Sequence, residues 1–171
     1  MNIHTGTILI STALLNDTNF EKVVIVITEH NEKGTIGYII NQQFNRRFNE
    51  LEEFKHALPI PLYIGGPSEM DKIYFMHRKP AFIEGGESLG SNVYMNGDFK
   101  TAVQLVNSGT LAINDIKLYI GYCGWDMGQL EEEIAEGSWL ITTASADLVF
   151  ASNLEEMWNE LVAATSSQSS M

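Results

Sequence analysis

Ile116–Ile134 reads IKLYIGYCGWDMGQLEEEI, and the fold turns on how it is divided. Ile116–Ile120 has the length and apolar character of a buried strand. Gly121-Tyr122-Cys123-Gly124-Trp125 sets two glycines three apart, which predicts a tight turn. A helix is expected from about Asp126, with Asp126 as its N-cap. Met127, Leu130 and Ile134 then share its inward face, and Glu132 faces solvent. Gly137 ends it, and Ser138–Thr143 (SWLITT) returns as a strand.

Upstream, the pattern is dominated by strands. Gly6–Thr12 is one; Lys22–Thr28 (KVVIVIT) and Thr35–Asn41 (TIGYIIN) are β-branched runs joined by a short polar loop, so they pair as antiparallel neighbours. Gly37, inside the second run, predicts a bulge or a close backbone approach. Asn49 is a candidate cap for a short helix over Glu50–Ala57, ended by Pro59 and Pro61. Leu62–Ile64 runs into Gly65-Gly66-Pro67, and Lys72–His77 and Asn92–Met95 are further strands. Asp98 caps a helix over Phe99–Asn107. The last helix carries Leu154, Met157, Trp158, Leu161 and Val162 as one stripe, and residues 165–171 read as a disordered tail. A run of strands before the first firm helix indicates α+β rather than regular βαβ alternation. No linker divides the chain, so one domain is expected over 1–164.

The chain carries 22 acidic and 10 basic residues, a net charge of -12. Its basic residues are scattered, which opposes direct nucleic-acid binding, since phosphate contact needs clustered Lys and Arg. The longest apolar runs fall far short of a membrane span. One cysteine and no secretory leader pattern point to the cytoplasm.

Polar and glycine residues concentrate at strand ends. Glu29 and His30 follow one strand, Asn41 ends the next, and His77 ends a third. The Gly121–Trp125 corner either only releases the backbone or brings N–H groups to a ligand. Gln129 either braces that corner or reads a ligand; both readings stay open. Cys123 reads as a small buried hydrophobe. His30, His77, Cys123 and Glu29 have no compact metal-motif spacing, so no metal and no cofactor are expected. No nucleophile elbow, phosphate loop or dinucleotide fingerprint occurs.

Taken together, the strand GTILIS, the segment FEKVVIVITEHNEKGTIGYIIN, the GGP turn, the strand ending at His77, GYCGWDMGQLEEEI and WLITTA resemble the AlgH/YqgE family of bacterial proteins. The likeness covers nearly the whole chain in order. It implies an α+β domain with a mixed or antiparallel, partly open, β-barrel-like sheet and flanking helices. It brings no reaction; the family's name reflects a proposed regulatory link to alginate synthesis. The family's recurring positions match Glu29, His30, Asn41, Gly65, Gly66, Pro67, His77, Gly121, Gly124, Trp125, Gln129 and Glu131. Two departures stand out: Gln42-Gln43 where Arg-Pro is frequent, and Cys123 where Ala is usual. The expectation is a cytoplasmic domain that binds a small molecule or a protein partner. Its pocket would be formed by Glu29, His30, Asn41, Gly65–Pro67, His77, Gly121, Gly124, Trp125 and Gln129. A histidine-based hydrolase or transferase and a DNA-binding regulator are the alternatives.

Overall fold

The computed structural model describes residues 3–169. Ten strands make one mixed sheet: β1 (Thr7–Ser11), β2 (Val24–Asn31), β3 (Gly34–Ile39), β4 (Gln43–Arg47), β5 (Pro61–Ile64), β6 (Ser68–His77), β7 (Glu87–Ser88), β8 (Tyr94–Met95), β9 (Ile116–Trp125) and β10 (Trp139–Thr143). The helices are α1 (Phe99–Asn107), α2 (Gln129–Ala135), α3 (Ala146–Val149) and α4 (Leu154–Ser169). The strand order is β10-β1-β2-β3-β9-β6-β8-β7, with β5 added to β9 and β4 to β5. Every pairing is antiparallel except β5 with β9. The fold is α+β, as expected, and the sheet stays open rather than closing into a barrel.

The decisive stretch behaves differently from its sequence reading. Gly121–Trp125 is no turn: the strand continues through it for ten residues, and its end pairs with β3 as Thr35↔Trp125, Ile36↔Gly124 and Gly37↔Cys123. β9 is therefore the hub of the sheet. Its first half takes β5 on one edge, its second half takes β3, and β6 runs along the other edge. The helix starts at Gln129, not Asp126, after Gly128. Asp126 is no cap; its own N–H is accepted by Gln129 Oε1 at 2.9 Å. Met127 thus falls in the turn before the helix and is 73% exposed, while Leu130 is fully buried.

Gly65-Gly66-Pro67 connects β5 to β6 by crossing over β9, from one edge to the other. The crossing is held by Gly65 N–H donating to Ile120 O and Gly65 O accepting from Ile39 N–H, both 2.8 Å. Backbones touch there: a Cβ on Gly65 would overlap Gly121 O, and one on Gly66 would overlap the Tyr122 carbonyl. Gly121 also has φ +73°, a conformation few other residues adopt. These three glycines are needed because two chain segments cross at backbone contact.

Other differences are local. The helix expected over Glu50–Ala57 is two 3-10 turns, Phe48–Glu50 and Glu52–Phe54, separated by Leu51 in an extended conformation. That break lets Phe48 and Phe54 stack at 4.3 Å and meet Phe99 of α1. Asp98 does cap α1, accepting from Thr101 N–H at 3.2 Å. The stripe on α4 packs on the sheet face carrying Ile8, Ile10, Val24 and Val26, as its spacing predicts. Trp158 adds a bond from its indole N–H to Ser11 O at 2.9 Å. α4 continues to Ser169, so it enters the stretch read as a disordered tail; residues 170 and 171 lie outside the described residues. No helix among the described residues is long and apolar enough to cross a membrane.

Candidate functional site

The residues proposed from sequence fall into separate places. Asn41 is a structural amide: its Oδ1 accepts from Val24 N–H at 2.9 Å and its Nδ2 donates to Lys22 O at 3.0 Å, extending the β2–β3 ladder by one side chain. His77 is fully buried between Phe75 and Tyr94, with ring centroids 5.7 and 5.6 Å away. Its Nδ1 accepts from Lys79 N–H at 3.2 Å, which leaves the proton on Nε2 to be donated to Asn96 O at 3.1 Å. Burial lowers its pKa, with the bond to Asn96 acting the other way, so the ring is neutral at pH 7. A general base needs a free lone pair beside a nucleophile or water; this ring has none.

Trp125 and Gln129 converge on Glu133. The indole N–H groups of Trp125 and Trp139 both donate to Glu133 Oε1, at 3.1 and 2.9 Å, and Gln129 Nε2 reaches Oε2 at 3.3 Å. The two indoles meet edge to face at 6.2 Å. Glu133 was not singled out from sequence; its i, i+4 spacing from Gln129 was the available signal. Cys123 is buried, and its Sγ donates to Gly65 O at 3.4 Å. Burial pushes its thiol up to about 12, so it is no nucleophile.

Of the proposed residues, Glu29 alone lines the cavity that is floored by three tyrosine rings. A register shift between Ile27 and Glu29 adds one residue to β2, and Thr28 and Glu29 both come to line the same cavity. His30 instead bonds across the hairpin to Thr35 Oγ1 at 2.7 Å. The cavity holds about 250 Å³ and is lined also by Tyr38, Glu69, Tyr74, Glu87, Met95, Asn96 and Tyr122. Tyr38 comes from β3, Tyr74 from β6 and Tyr122 from β9, so three adjacent strands each supply one ring. Their centroids lie 5.6, 5.9 and 6.5 Å apart, at steep angles to one another. Glu29, Glu69 and Glu87 stand exposed around these rings. Gly124 and Trp125 line an adjoining hollow that shares Glu29 and Tyr122 with this one. Gly66 and Pro67 face a different depression, beside Phe20 and Met70.

Glu69 is placed by a bulge in β6. Ser68 pairs with Tyr122 and Ile73 with Ile120, so four residues of β6 face one of β9, and Glu69 takes φ +47°. Lys72 Nζ donates to its carboxylate at 2.9 Å and holds its pKa below the usual range; Tyr74 Oη reaches it at 3.4 Å. Burial, then the neighbouring Tyr74 and Glu29, raise the pKa of the Tyr38 phenol. Tyr38 is therefore a neutral phenol beneath a rim of carboxylate side chains. Among the described residues no group of three or more His, Cys, Asp or Glu is placed to hold a metal ion. The floor is apolar and aromatic, and the rim is negative. Such a pocket attracts a cation through ring quadrupoles and carboxylates together.

This topology and site define an α+β protein of open mixed sheet with a tyrosine–glutamate pocket. The AlgH-like family model matches residues 8–170, and the chain belongs to that family. A UPF0301 protein of Chlorobium phaeobacteroides is 34% identical over 160 residues, covering 94% of this chain and 86% of its own. One from Cytophaga hutchinsonii is 32% identical over 158 residues, with 92% and 87% covered. The solution structure of AlgH from Pseudomonas aeruginosa superposes with a TM-score of 0.76 at 28% identity, covering 95% and 92%. A crystal structure from Corynebacterium diphtheriae shares the fold at 21% identity and a TM-score of 0.78, covering 94% and 86%.

Proposed function

We propose that the protein is a cytoplasmic binding domain with a regulatory role, whose ligand presents a protonated amine or guanidinium to the tyrosine–glutamate pocket. The observation that carries this reading is the ring set Tyr38, Tyr74 and Tyr122 lying beneath Glu29, Glu69 and Glu87. An ammonium beside tyrosine faces gains about 0.5–2 kcal/mol from each well-placed contact, more when water is excluded. Lys72 supports it too, since its ammonium already rests against Glu69 at the rim. A ligand cation would exchange with that exposed side chain. Nothing in the site resembles a nucleophile with its base, and the net charge of -12 opposes DNA as the ligand.

The test is a titration of the ¹⁵N-labelled protein with choline, methylguanidinium and an N-acetyl-lysine amide, against neutral analogues of the same shape. The expected result is shift changes at Glu29, Tyr38 and Tyr122 for cations only, weakened about 5- to 30-fold in Tyr38→Leu and Glu69→Gln. The reading fails if cations and neutral analogues perturb the same amides equally, or if neither perturbs them.

A further inference from the structure

Lys117 is 4% exposed and sits in β9 between Tyr63 and Tyr119, with Nζ 4.5 and 5.7 Å from their ring centroids. It donates to Ile40 O at 2.7 Å and to Val149 O at 3.0 Å. An ammonium has three N–H groups, and no third acceptor is present among the described residues. Tyr119 does not serve, since its buried hydroxyl has no partner of any kind. Nor is there an ion-paired carboxylate for it among the described residues. The ionisable side chains on the surrounding elements β3, β5, β6, β9 and α3 and their flanking loops are Tyr38, Tyr63, Glu69, Asp71, Lys72, Tyr74, His77, Arg78, Asp115, Tyr119, Tyr122, Cys123 and Asp147; Glu69 pairs with Lys72 and Asp71 is exposed. Of these, Asp115 pairs with Arg78 at 3.5 Å and accepts from Ala112 N–H, and Asp147 is exposed. Buried charges are ordinarily paired, because an isolated one is costly to remove from water.

Beside Lys117 lies a cavity of about 60 Å³, lined also by Ile60, Tyr63, Asn114, Phe150 and Ser152. Two of these, Asn114 and Ser152, carry side-chain hydrogen-bond donors. We propose that this cavity binds a small monovalent anion, of the size of chloride or formate, which completes the bonding of the Lys117 ammonium and supplies its missing counter-charge. The site is separate from the tyrosine–glutamate pocket and stands whether or not that pocket binds cations. Burial lowers Lys117 to about 7, so anion uptake is linked to proton uptake. An anion raises the folded-state pKa back toward its unfolded value. It therefore stabilises most below pH 7 and progressively less as the amine loses its proton.

The experiment compares thermal midpoints of the full chain in sodium formate and in sodium benzenesulfonate at equal ionic strength, at pH 6 and pH 9. Formate is expected to raise the midpoint over benzenesulfonate by on the order of 3 °C at pH 6 and by much less at pH 9. Lys117→Met, which keeps the chain length without the charge, should abolish the difference, and Asn114→Leu, which fills the cavity from its wall, should reduce it. The proposal is overturned if formate and benzenesulfonate act alike at pH 6, if the formate effect is the same at both pH values, or if Lys117→Met keeps it. Should Lys117→Met not fold, the wild-type pH comparison and Asn114→Leu still decide.

Discussion

The indole N–H of Trp139 donates to Oε1 of Glu133 over 2.9 Å, and Trp125 donates to the same oxygen. One carboxylate therefore joins the end of β9, helix α2 and the start of β10. Leucine at position 133 leaves two nearly buried indole donors unsatisfied and should cost about 2–4 kcal/mol. Glutamine keeps one acceptor oxygen and should cost about half as much. Urea denaturation of Glu133→Leu and Glu133→Gln separates the two; equal losses would show that the carboxylate bonds carry little.

Replacing Gly66 by alanine brings a methyl group into the Tyr122 carbonyl, which belongs to rigid strand backbone. A loss of at least about 3 kcal/mol or failure to accumulate folded protein is expected. Gly90 makes the comparison. It has a similar positive φ of +83° to that of Gly121, but open space around it, so Gly90→Ala should cost only about 1–2 kcal/mol of backbone strain.

Lys117 makes stability depend on pH in the alkaline range. Its pKa in the folded chain is near 7, below the 10.5 of the unfolded chain. Between these values the unfolded state binds more protons, so stability rises with pH across that window and is lost as pH falls toward 7. The full effect is on the order of 3–5 kcal/mol. Lys117→Met should flatten this slope in denaturant titrations from pH 7 to pH 10, and gain stability relative to wild type at the lower end. An unchanged slope would contradict the burial of Lys117 as an unpaired, deprotonated amine.

His77 acts at lower pH with the same sign. Its folded pKa lies below that of an ordinary histidine. Its contribution is complete above about pH 6.5 and is lost as the solution becomes more acidic. Protonation of Nδ1 would set a proton against the Lys79 N–H that it accepts. Histidine side-chain NMR should show His77 as the Nε2–H tautomer, still mostly neutral at about pH 6.5, where an unperturbed imidazole is half protonated.

Cys123 should resist alkylation. With the thiol near 12 and buried, iodoacetamide at pH 8 should label it only on unfolding, in step with the urea transition. Fast labelling of native protein would place the sulfur at a surface.

The strands were legible in the sequence because their β-branched runs are long and bounded: Lys22–Thr28, Thr35–Asn41, Lys72–His77 and Ser138–Thr143 all locate true strands. Their ends were less so. Gly121 and Gly124 mark a turn by composition alone, yet the strand passes straight through them. What Gly121 answers is a second segment crossing overhead, a long-range contact that leaves no local periodicity; a Cβ at Gly124 would make only an ordinary contact with the Tyr122 ring. The same applies to the pocket. Its three tyrosines lie far apart in the chain, each inside an apolar strand, and nothing local marks them as neighbours. Glu29 was found because it ends a buried run. Asn41 and His77 look the same in sequence, and here their polar atoms are taken up by the backbone.

The placement of β9 at the centre of the sheet has a consequence for how the protein is made. Strands β3, β5 and β6 must all wait for a partner that leaves the ribosome some forty to ninety residues after them. Until Trp125 has emerged, the β2–β3 hairpin has one edge bare, and β6 has no neighbour along most of its length. Pairings so remote in sequence slow folding and prolong the exposure of unpaired strand edges. The Gly65–Pro67 crossing adds an order of events, because β9, the second-to-last strand in the chain, has to slide beneath a connection synthesised long before it.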